Sequence, residues 1–555
     1  MFRLAPALTL TLLLVPIAAG LVGTILPAFD VLPALGYAAP SHAPWRELLA
    51  APGVAASVRI TATAGAGATL LSFLLASGFC AAVHDRPPWR RFEHILAPLL
   101  ATPHVAVAIG FAFLIAPSGW IVRILSPEIT GWSRPPDLAT IRDPYGLSFM
   151  LGLVIKEVPF LVLMILSATS QIPARAMMAT ARSMGYAGPT AWLKVVFPQV
   201  YRQIRLPVFA VLAFTLSVVE VGLILAPGHP PPLSVAAARW FGSYDPALHR
   251  LAAAAALLQL LLVVVAIGLW VLVEQAVRRM GAPWIERGGR GSAAAPLRWL
   301  GRCTVAAGLV SIACILAMAV WSFAQDWRFP DALPRSWTFA NWGRTGAAGE
   351  PVATTLAIGA GSSALAVLLT LACLENEDRR GIRPGLNALW LLYLPLLIPQ
   401  IAFLFGVQVL FVRLGLDTTL TGVVWAHLLF VLPYVFLTLS DPFRKIDPRY
   451  ARIAAGLGTS PLGTLIRVKV PILLRPVLIS FAVGFAVSVG QYLPTLFAGG
   501  GRVATLTTEA VTLAGSADRR LIGVTAFLQA GLPLLAYALA LAGPRLLYTD
   551  RRGLL

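Results

Sequence analysis

The sequence predicts an all-α polytopic membrane protein, with about twelve transmembrane helices arranged as two tandem repeats of six helices. Three observations predict this fold class. Of the 555 residues, 58% are hydrophobic and 12% are charged, whereas a soluble domain carries roughly 25% charged residues. Many apolar runs approach the ~20 residues that cross a bilayer as a helix. Motifs of the first half also recur in the second half at a nearly constant offset.

The apolar runs define the predicted spans and their orientation. The first run is predicted to be an uncleaved helix rather than a signal peptide. Loops on the side of the N-terminus carry more than twice as many Arg and Lys residues as loops on the opposite side, which predicts cytoplasmic N- and C-termini. The predicted spans lie near 4–26, 54–81, 94–116, 146–168, 204–226, 250–275, 303–324, 352–374, 386–412, 419–440, 476–498 and 520–541.

Charge and cysteine usage exclude several other classes of protein. The formal charge is +19, but only four basic residues are lysine and there is no lysine-rich tail. The positive-inside rule explains this charge without nucleic acid as a partner. The cysteines lie in or beside apolar runs without a CxxC pair, and the seven histidines are scattered. This pattern predicts neither disulfides nor a metal site. The cysteines are Cys80, Cys303, Cys314 and Cys373.

The two halves of the chain share short motifs. Pro103–Gly110 matches Pro399–Gly406 in the positions of proline and glycine, and Val54–Ser57 resembles Val352–Thr355. Six spans return the chain to the same side, so the predicted repeats are parallel and related by a pseudo-twofold axis along the membrane normal. The predicted domains are a first repeat at 1–280 (core 54–275), a cytoplasmic linker at 281–302, and a second repeat at 303–555 (core 350–541).

Two polar segments occupy equivalent places in the two halves. Gly185 and Gly458 each precede a proline by thirteen positions, at Pro198 and Pro471. Alanines before the glycine predict a short helix, and the glycine suits a left-handed turn that ends it. We expect each proline to bend or restart the chain where it re-enters the membrane. The segments are therefore predicted to protrude from the bilayer surface and to present short helices to a partner.

These two segments resemble the "EAA" loops of type I ABC importer permeases, whose pattern is Glu-Ala-Ala, three residues, Gly, nine residues, Ile-x-Leu-Pro. The resemblance implies two coupling helices that dock on two ATPase subunits. The leading glutamate of the family is absent, so a charge pair from it is not available. The implied coupling residues are Ala179, Ala181, Gly185, Val195 and Pro198 in the first segment, and Arg452, Ala454, Gly458, Val468, Val470 and Pro471 in the second.

The resemblance also implies the partners and the location. The chain contains no Gly-x-x-x-x-Gly-Lys-Ser/Thr motif, and no lysine follows a glycine. It therefore has no P-loop, and we expect a transport subunit that is not itself an enzyme. It would bind no cofactor, with ATP and Mg²⁺ held by two copies of a separate ABC ATPase. A periplasmic substrate-binding protein and the bilayer of the bacterial inner membrane complete the expected partners.

Polar residues within apolar spans mark the predicted substrate path. Glu220 lies in span five, and its repeat equivalent Gln491 is followed by Tyr492. A carboxylate and a phenol at the centre favour a cationic ligand, although a structural hydrogen bond explains Glu220 equally well. The adjoining external segments at 227–235 and 499–509 are rich in turn residues. They form either a rim for the substrate-delivery protein or a pair of flexible loops.

The predicted substrate comes from the same resemblance. The runs at 491–497 and 501–511 look most like those of thiamine-type permeases and are similar to ferric-iron-type permeases. We therefore expect import of thiamine or a related cation. Ferric iron or a polyamine carried by the same machinery is an alternative. An ion-gradient-driven secondary transporter, with Glu220 or Glu157 as its proton site, and a membrane assembly or receptor subunit without transport are alternatives of other classes.

Overall fold

The computed structural model describes residues 2–33, 36–37, 39–83, 99–290, 294–344, 349–382, 385–516 and 518–547. Within these ranges the chain is a helical bundle with one two-stranded antiparallel sheet. The helices of the first half are α1 (Ala5–Ala28), α2 (Ala43–Ala50), α3 (Val54–Val83), α4 (His104–Ile115), α5 (Trp120–Leu125), α6 (Leu147–Ser170), α7 (Ala174–Ser183), α8 (Gly188–Ala191), α9 (Phe197–Ser217), α10 (Glu220–Leu225), α11 (Leu233–Phe241) and α12 (Ala247–Glu286).

The second half follows a similar order of elements. The sheet, β1 (Ala324–Asp326) with β2 (Ser336–Trp337), lies after its first helix. The helices are α13 (Ala294–Phe323), α14 (Ala340–Arg344), α15 (Gly349–Arg380), α16 (Leu386–Leu397), α17 (Ile401–Leu414), α18 (Leu420–Arg444), α19 (Pro448–Gly456), α20 (Pro461–Thr464), α21 (Val470–Ile472), α22 (Leu474–Val489), α23 (Leu493–Ala498), α24 (Leu506–Leu513) and α25 (Arg519–Leu547).

The polytopic helical class is confirmed, but the predicted count of twelve spans is not. In the described part of the chain, nine helices are long and apolar enough to cross a membrane, or up to eleven if two bent pairs each count as one span. The span predicted at 386–412 bends by 101° between α16 and α17. The span predicted at 204–226 stops after Ser217 and restarts at Glu220. Residues 94–98 of the third predicted span lie outside the described ranges.

The predicted linker at 281–302 is largely helical where it is described. Helix α12 runs for 40 residues and ends at Glu286, and α13 begins at Ala294. At 1.5 Å per residue, α12 is about 60 Å long, roughly twice the thickness of the hydrocarbon core. It therefore continues well past the span predicted at 250–275.

The two hydrophobic cores exchange helices between the halves of the chain. One core combines first-half residues with side chains from α13 and α25. The other core combines second-half residues with side chains from α1 and α12. Accordingly, α1 packs against α17, while α13 packs against α3 and α4. Each half thus depends on terminal helices of the other half for its packing.

Two matched glycines permit the closest of these helix crossings. A Cβ atom on Gly406 of α17 would lie 2.1 Å from the carbonyl oxygen of Gly20 in α1. A Cβ atom on Gly110 of α4 would lie 2.5 Å from the carbonyl oxygen of Cys314 in α13. Small residues let the backbones of membrane helices approach in this way. The matched Pro–Gly motifs of the sequence therefore mark the sites where each half receives the first helix of the other.

We expect Gly406→Ala to lower the thermal unfolding midpoint of the purified protein, because α1 and α17 must separate to admit the methyl group. Overpacking of this kind costs typically 1–3 kcal/mol. Gly268→Ala in α12 is the matched control, since a Cβ atom there has no heavy atom within 4 Å. An equal midpoint for the two variants would contradict the close crossing.

Candidate functional site

Both candidate coupling segments turn at their glycines in the same way. Gly185 and Gly458 have φ angles of +85° and +77°, which confirms the predicted left-handed turns. In the first segment the N–H of Tyr186 donates to the carbonyl of Ala181 at 3.2 Å. In the second, the N–H of Thr459 donates to the carbonyl of Ala454 at 3.0 Å. These bonds close the same helix-ending motif in each copy.

A wide helical turn precedes each motif proline. Residues Trp192–Val196 and Leu465–Lys469 are π-helical. Proline has no N–H, and its ring clashes with the carbonyl four residues earlier in an α-helix. The widened turn accommodates Pro198 inside one continuous helical run, so it does not break the chain as predicted. The second run is interrupted at Leu473, two residues after Pro471, where the helical stretches Pro461–Ile472 and Leu474–Val489 are bent by 83°. The predicted bend is therefore confirmed for the second segment.

The motif residues divide between the bundle and the surface. Ala181 and Ala454 are buried, with 4% and 6% of their surfaces exposed, because they lie on the faces of α7 and α19 that pack inward. The leading positions, Ala179 and Arg452, are exposed, as are both turn glycines. The remaining members are partly buried: Val195, Pro198, Val468, Val470 and Pro471.

The second segment carries an exposed apolar patch, which we define as Tyr450, Ile453, Leu457, Leu462 and Ile466. Leu457 is 82% exposed and Ile453 is 61% exposed. The first three members recur at helical spacing along one face of α19 and its C-terminal turn. Exposed apolar side chains on a segment that is predicted to leave the bilayer make this patch a candidate interaction surface. Within residues 174–198 of the first segment, Met184 is the one large apolar side chain that is mostly exposed.

A buried lysine fastens the second segment to α15. The Lys469 Nζ donates to Glu375 Oε2 at 2.6 Å and to Asp378 Oδ2 at 2.7 Å. The side chains of Lys469 and Glu375 are 3% and 2% exposed. Arg379 adds a bond to the carbonyl of Pro461 at 2.5 Å and another to Glu375 at 2.7 Å. The segment is thereby held to the last turns of α15.

A different lysine fastens the first segment to α12 and the residues after it. Lys194 Nζ donates to the carbonyls of Trp284 and Gly289 at 2.9 and 3.0 Å. It also lies 4.5 Å from the centroid of the Trp284 ring, where a cation is attracted by the aromatic face. Sequence analysis missed both contacts. The sequence did contain a sign that these lysines are special, because two of only four lysines in the chain fall within these segments.

The predicted substrate-path residues lie where two helices break. Glu220 is buried and occupies the first position of α10, where a helix N-terminus favours a carboxylate. Gln491 lies in the gap between α22 and α23, and Tyr492 caps α23. Tyr492 packs against both hydrophobic cores. The structure therefore places Glu220 and Tyr492 each at a helix break rather than within a continuous span.

Matched hydroxyl groups satisfy the carbonyls that the breaks leave free. Ser234 of α11 donates to the carbonyl of Val218 at 3.2 Å, and Thr507 of α24 donates to the carbonyl of Val489. These donors belong to the segments predicted at 227–235 and 499–509. In the structure α11 begins at Leu233 and α24 at Leu506, so part of each predicted loop is a buried short helix.

The N-termini of these short helices are held by a further matched pair. The N–H of Leu233 donates to the Thr61 hydroxyl at 2.8 Å, and that of Leu506 donates to the Thr355 hydroxyl at 2.9 Å. The sequence analysis had matched Ser57 with Thr355. In the structure the residue that makes the equivalent contact is Thr61, one helical turn after Ser57. Both helices contain runs of similar small residues, so the sequence alone did not fix how the two helices should be aligned with each other.

Other polar residues of the spans have partners within the bundle. Lys156 Nζ donates to the carbonyls of Leu99 and Leu100 at 3.1 and 2.8 Å. Glu157 pairs with His104 at 3.1 Å. His427 contacts the hydroxyls of Ser488 and Thr495 at 2.7 and 2.9 Å and bridges the break between α22 and α23.

Known proteins similar to this chain are transport permeases, although no protein-family model matches it. The inner membrane ABC transporter permease protein YnjC of Escherichia coli is 32% identical over 514 residues, which cover 92% of each chain. The molybdenum transport system permease protein ModB of Azotobacter vinelandii is 32% identical over 25% of this chain and 61% of its own. The spermidine/putrescine transport system permease protein PotC of Haemophilus influenzae is 26% identical over 20% of this chain and 43% of its own.

Proposed function

This chain belongs to the inner membrane ABC transporter permeases, and from that premise we propose that it forms the complete translocation pathway of an importer. Two tandem permease repeats, at 1–280 and 303–555 with the 281–302 connection between them, supply both halves of the pathway. Two copies of a separate ABC ATPase bind the segments at 179–198 and 452–471. A periplasmic binding protein delivers the solute, and both termini lie in the cytoplasm.

The matched construction of the two segments carries this proposal. Each has a buried motif alanine, a left-handed glycine and a π-helical turn before a proline. The paired contacts around the two helix breaks support a repeat of the same unit. The apolar patch of the second segment supplies a surface that a partner must cover. Sequence similarity adds that the relative that matches over 92% of both chains is named as an ABC transporter permease.

The route from ATPase to solute runs through α15. Movement of the second segment is transmitted by Lys469 and Glu375 to the end of α15. Helix α15 packs on α22, and α22 ends at the break that contains Gln491 and Tyr492. Closure of the ATPase dimer would thereby change the environment of Glu220 without direct contact. A ligand-driven change of this kind requires that the two states bind solute and ATP differently.

A cationic solute suits this pathway best. Glu220 is a buried carboxylate at one helix break, and Tyr492 is an aromatic side chain at the other; these two groups recognise a cation by charge and by cation–π attraction. A related permease is named for spermidine and putrescine transport, and polyamines are cations. Thiamine stays the specific substrate that the runs at 491–497 and 501–511 predict. Ferric iron and polyamines are the alternatives for the same machinery.

Glu220→Gln is expected to reduce uptake of the cationic solute at least about tenfold, because one charge-assisted contact is worth roughly 1.5–3 kcal/mol. Uptake of labelled thiamine and spermidine into cells that contain the complete transporter measures this effect. Glu128→Gln is the matched control, since Glu128 is an exposed acid outside the pathway.

Two outcomes would contradict the pathway or the energy source. Normal uptake by Glu220→Gln removes Glu220 from the substrate path. Uptake that survives ATP depletion and stops with an uncoupler instead favours the ion-gradient mechanism, with Glu220 as the proton site.

A further inference from the structure

A basic cavity lies beside the second coupling segment, at the end of α15. It encloses about 290 Å³ and is lined by Phe2, Arg3, Asn376, Arg379 and Arg380. The first two residues come from the turn that precedes α1, and the other three come from the last turn and a half of α15. Two distant parts of the chain thus place three guanidinium groups around one space.

The acids near this cavity are already paired with other cations. Glu375 bonds Lys469 and Arg379, Asp378 bonds Lys469, and Glu377 bonds Arg444 at 3.0 Å. Among the residues that the structure describes, no acid lines the cavity itself. Among the described residues, neither Arg3 nor Arg380 has an ion-pair partner. The cavity therefore keeps an uncompensated positive charge.

Arg379 is already oriented within this space. Its guanidinium lies 4.6 Å from the centroid of the Phe2 ring and bonds Glu375 and the carbonyl of Pro461. A guanidinium has five N–H donors, and two of these nitrogens account for the bonds to Glu375 and Pro461. Arginine donors match the geometry of phosphate oxygens and bind them in a bidentate manner.

We propose that this cavity binds a phosphate-bearing anion, with Arg3 and Arg380 as its principal ligands and Asn376 as an additional donor. The anion is either the headgroup of an anionic phospholipid or a free phosphate compound, since both present the same oxygens. Binding is linked to the second coupling segment, because Arg379 contacts both the cavity and Pro461. Any coupling between the two acts equally in both directions.

The source of the anion is tested with the full-length protein in nanodiscs. In one arm, discs of phosphatidylcholine with phosphatidylglycerol are analysed by native mass spectrometry for retained phosphatidylglycerol. In the other arm, inorganic phosphate and pyrophosphate are titrated against the protein in phosphatidylcholine discs, and the thermal unfolding midpoint is followed. Retained phosphatidylglycerol identifies a lipid headgroup, whereas a midpoint raised by the added anions identifies a free phosphate compound.

The double variant Arg3→Gln/Arg380→Gln is expected to weaken either response at least about tenfold, because it removes two charge-assisted contacts. Both side chains are exposed, so the midpoint without anion should stay unchanged. Asn376→Leu removes the additional amide donor without changing the charge of the cavity and should also weaken binding. Arg278→Gln/Arg279→Gln, two exposed arginines of α12, is the matched control.

The absence of both responses in the unaltered protein would overturn the site. An equal response in the Arg3→Gln/Arg380→Gln variant would do so as well. These measurements need neither a substrate nor an ATPase subunit. The anion site and the transport function can therefore fail independently of one another.

Discussion

Leu457→Asp is expected to release the ATPase from the second coupling segment and to abolish transport. Leu457 is 82% exposed in the isolated chain, so the substitution should leave folding and membrane insertion intact. An apolar patch residue that becomes buried against a partner typically contributes 2–4 kcal/mol when it is a hot spot. We therefore expect binding of the ATPase to weaken about 30-fold to 1,000-fold, measured by titration of purified ATPase against the permease in nanodiscs.

Leu333→Asp provides the control for an added surface charge. Leu333 is 56% exposed and lies in the connection between β1 and β2, away from both coupling segments. Binding of the ATPase should be unchanged in this variant. Unchanged binding in Leu457→Asp would mean that the exposed patch does not contact the ATPase. Met184→Asp then shows how much of the binding energy the first segment contributes.

Lys469→Met is expected to uncouple ATP hydrolysis from transport and to destabilise the protein. The substitution leaves the buried Glu375 carboxylate with Arg379 as its remaining cationic partner. Removing one member of a buried ion pair costs 3–5 kcal/mol. We expect about 3 kcal/mol here, because Arg379 offsets part of the loss. A lowered thermal midpoint measures the stability, and ATPase activity without solute uptake in proteoliposomes measures the uncoupling.

A second variant separates these two effects of Lys469. Replacing a buried ion pair by apolar residues of similar volume is often neutral for stability. Glu375→Leu/Lys469→Met should therefore recover much of the thermal midpoint while transport stays lost. Lys445→Met, at an exposed lysine nearby, should change neither property. Normal solute uptake by the stable double variant would exclude the Lys469–Glu375 bond from the coupling route.

In the coupling segments, the sequence predicted the glycine turns but neither the π-helical turns nor the lysine contacts that hold the segments to the bundle. The positions of Gly185 and Gly458 followed from local backbone preference, which requires only neighbouring residues. The π-helical turns depend on how a complete helix accommodates Pro198 and Pro471, and composition does not reveal that response. The fastening contacts of Lys194 and Lys469 join residues about 90 positions apart. No local pattern of charge specifies such partners.

Along the substrate path, too, the sequence predicted which residues matter but not where the helices break. Glu220 and Tyr492 were predicted to meet from their equivalent places in two repeats, and the structure places each of them at a helix break. The breaks at Val218 and Gln491 were not predicted, since long apolar stretches lie on both sides of each. Hydroxyls from Ser234 and Thr507 allow the helices to stop there, because they satisfy the freed carbonyls as hydrocarbon surroundings require.

Native mass spectrometry of the intact complex tests the central claim most directly. The tagged chain is purified from the membranes of its native host in a mild detergent, and the masses of its bound subunits are determined. We predict one copy of this chain with two copies of a single P-loop ATPase, and loss of ATPase from the Leu457→Asp variant. A chain that is purified with full transport activity and without any P-loop subunit would contradict the account.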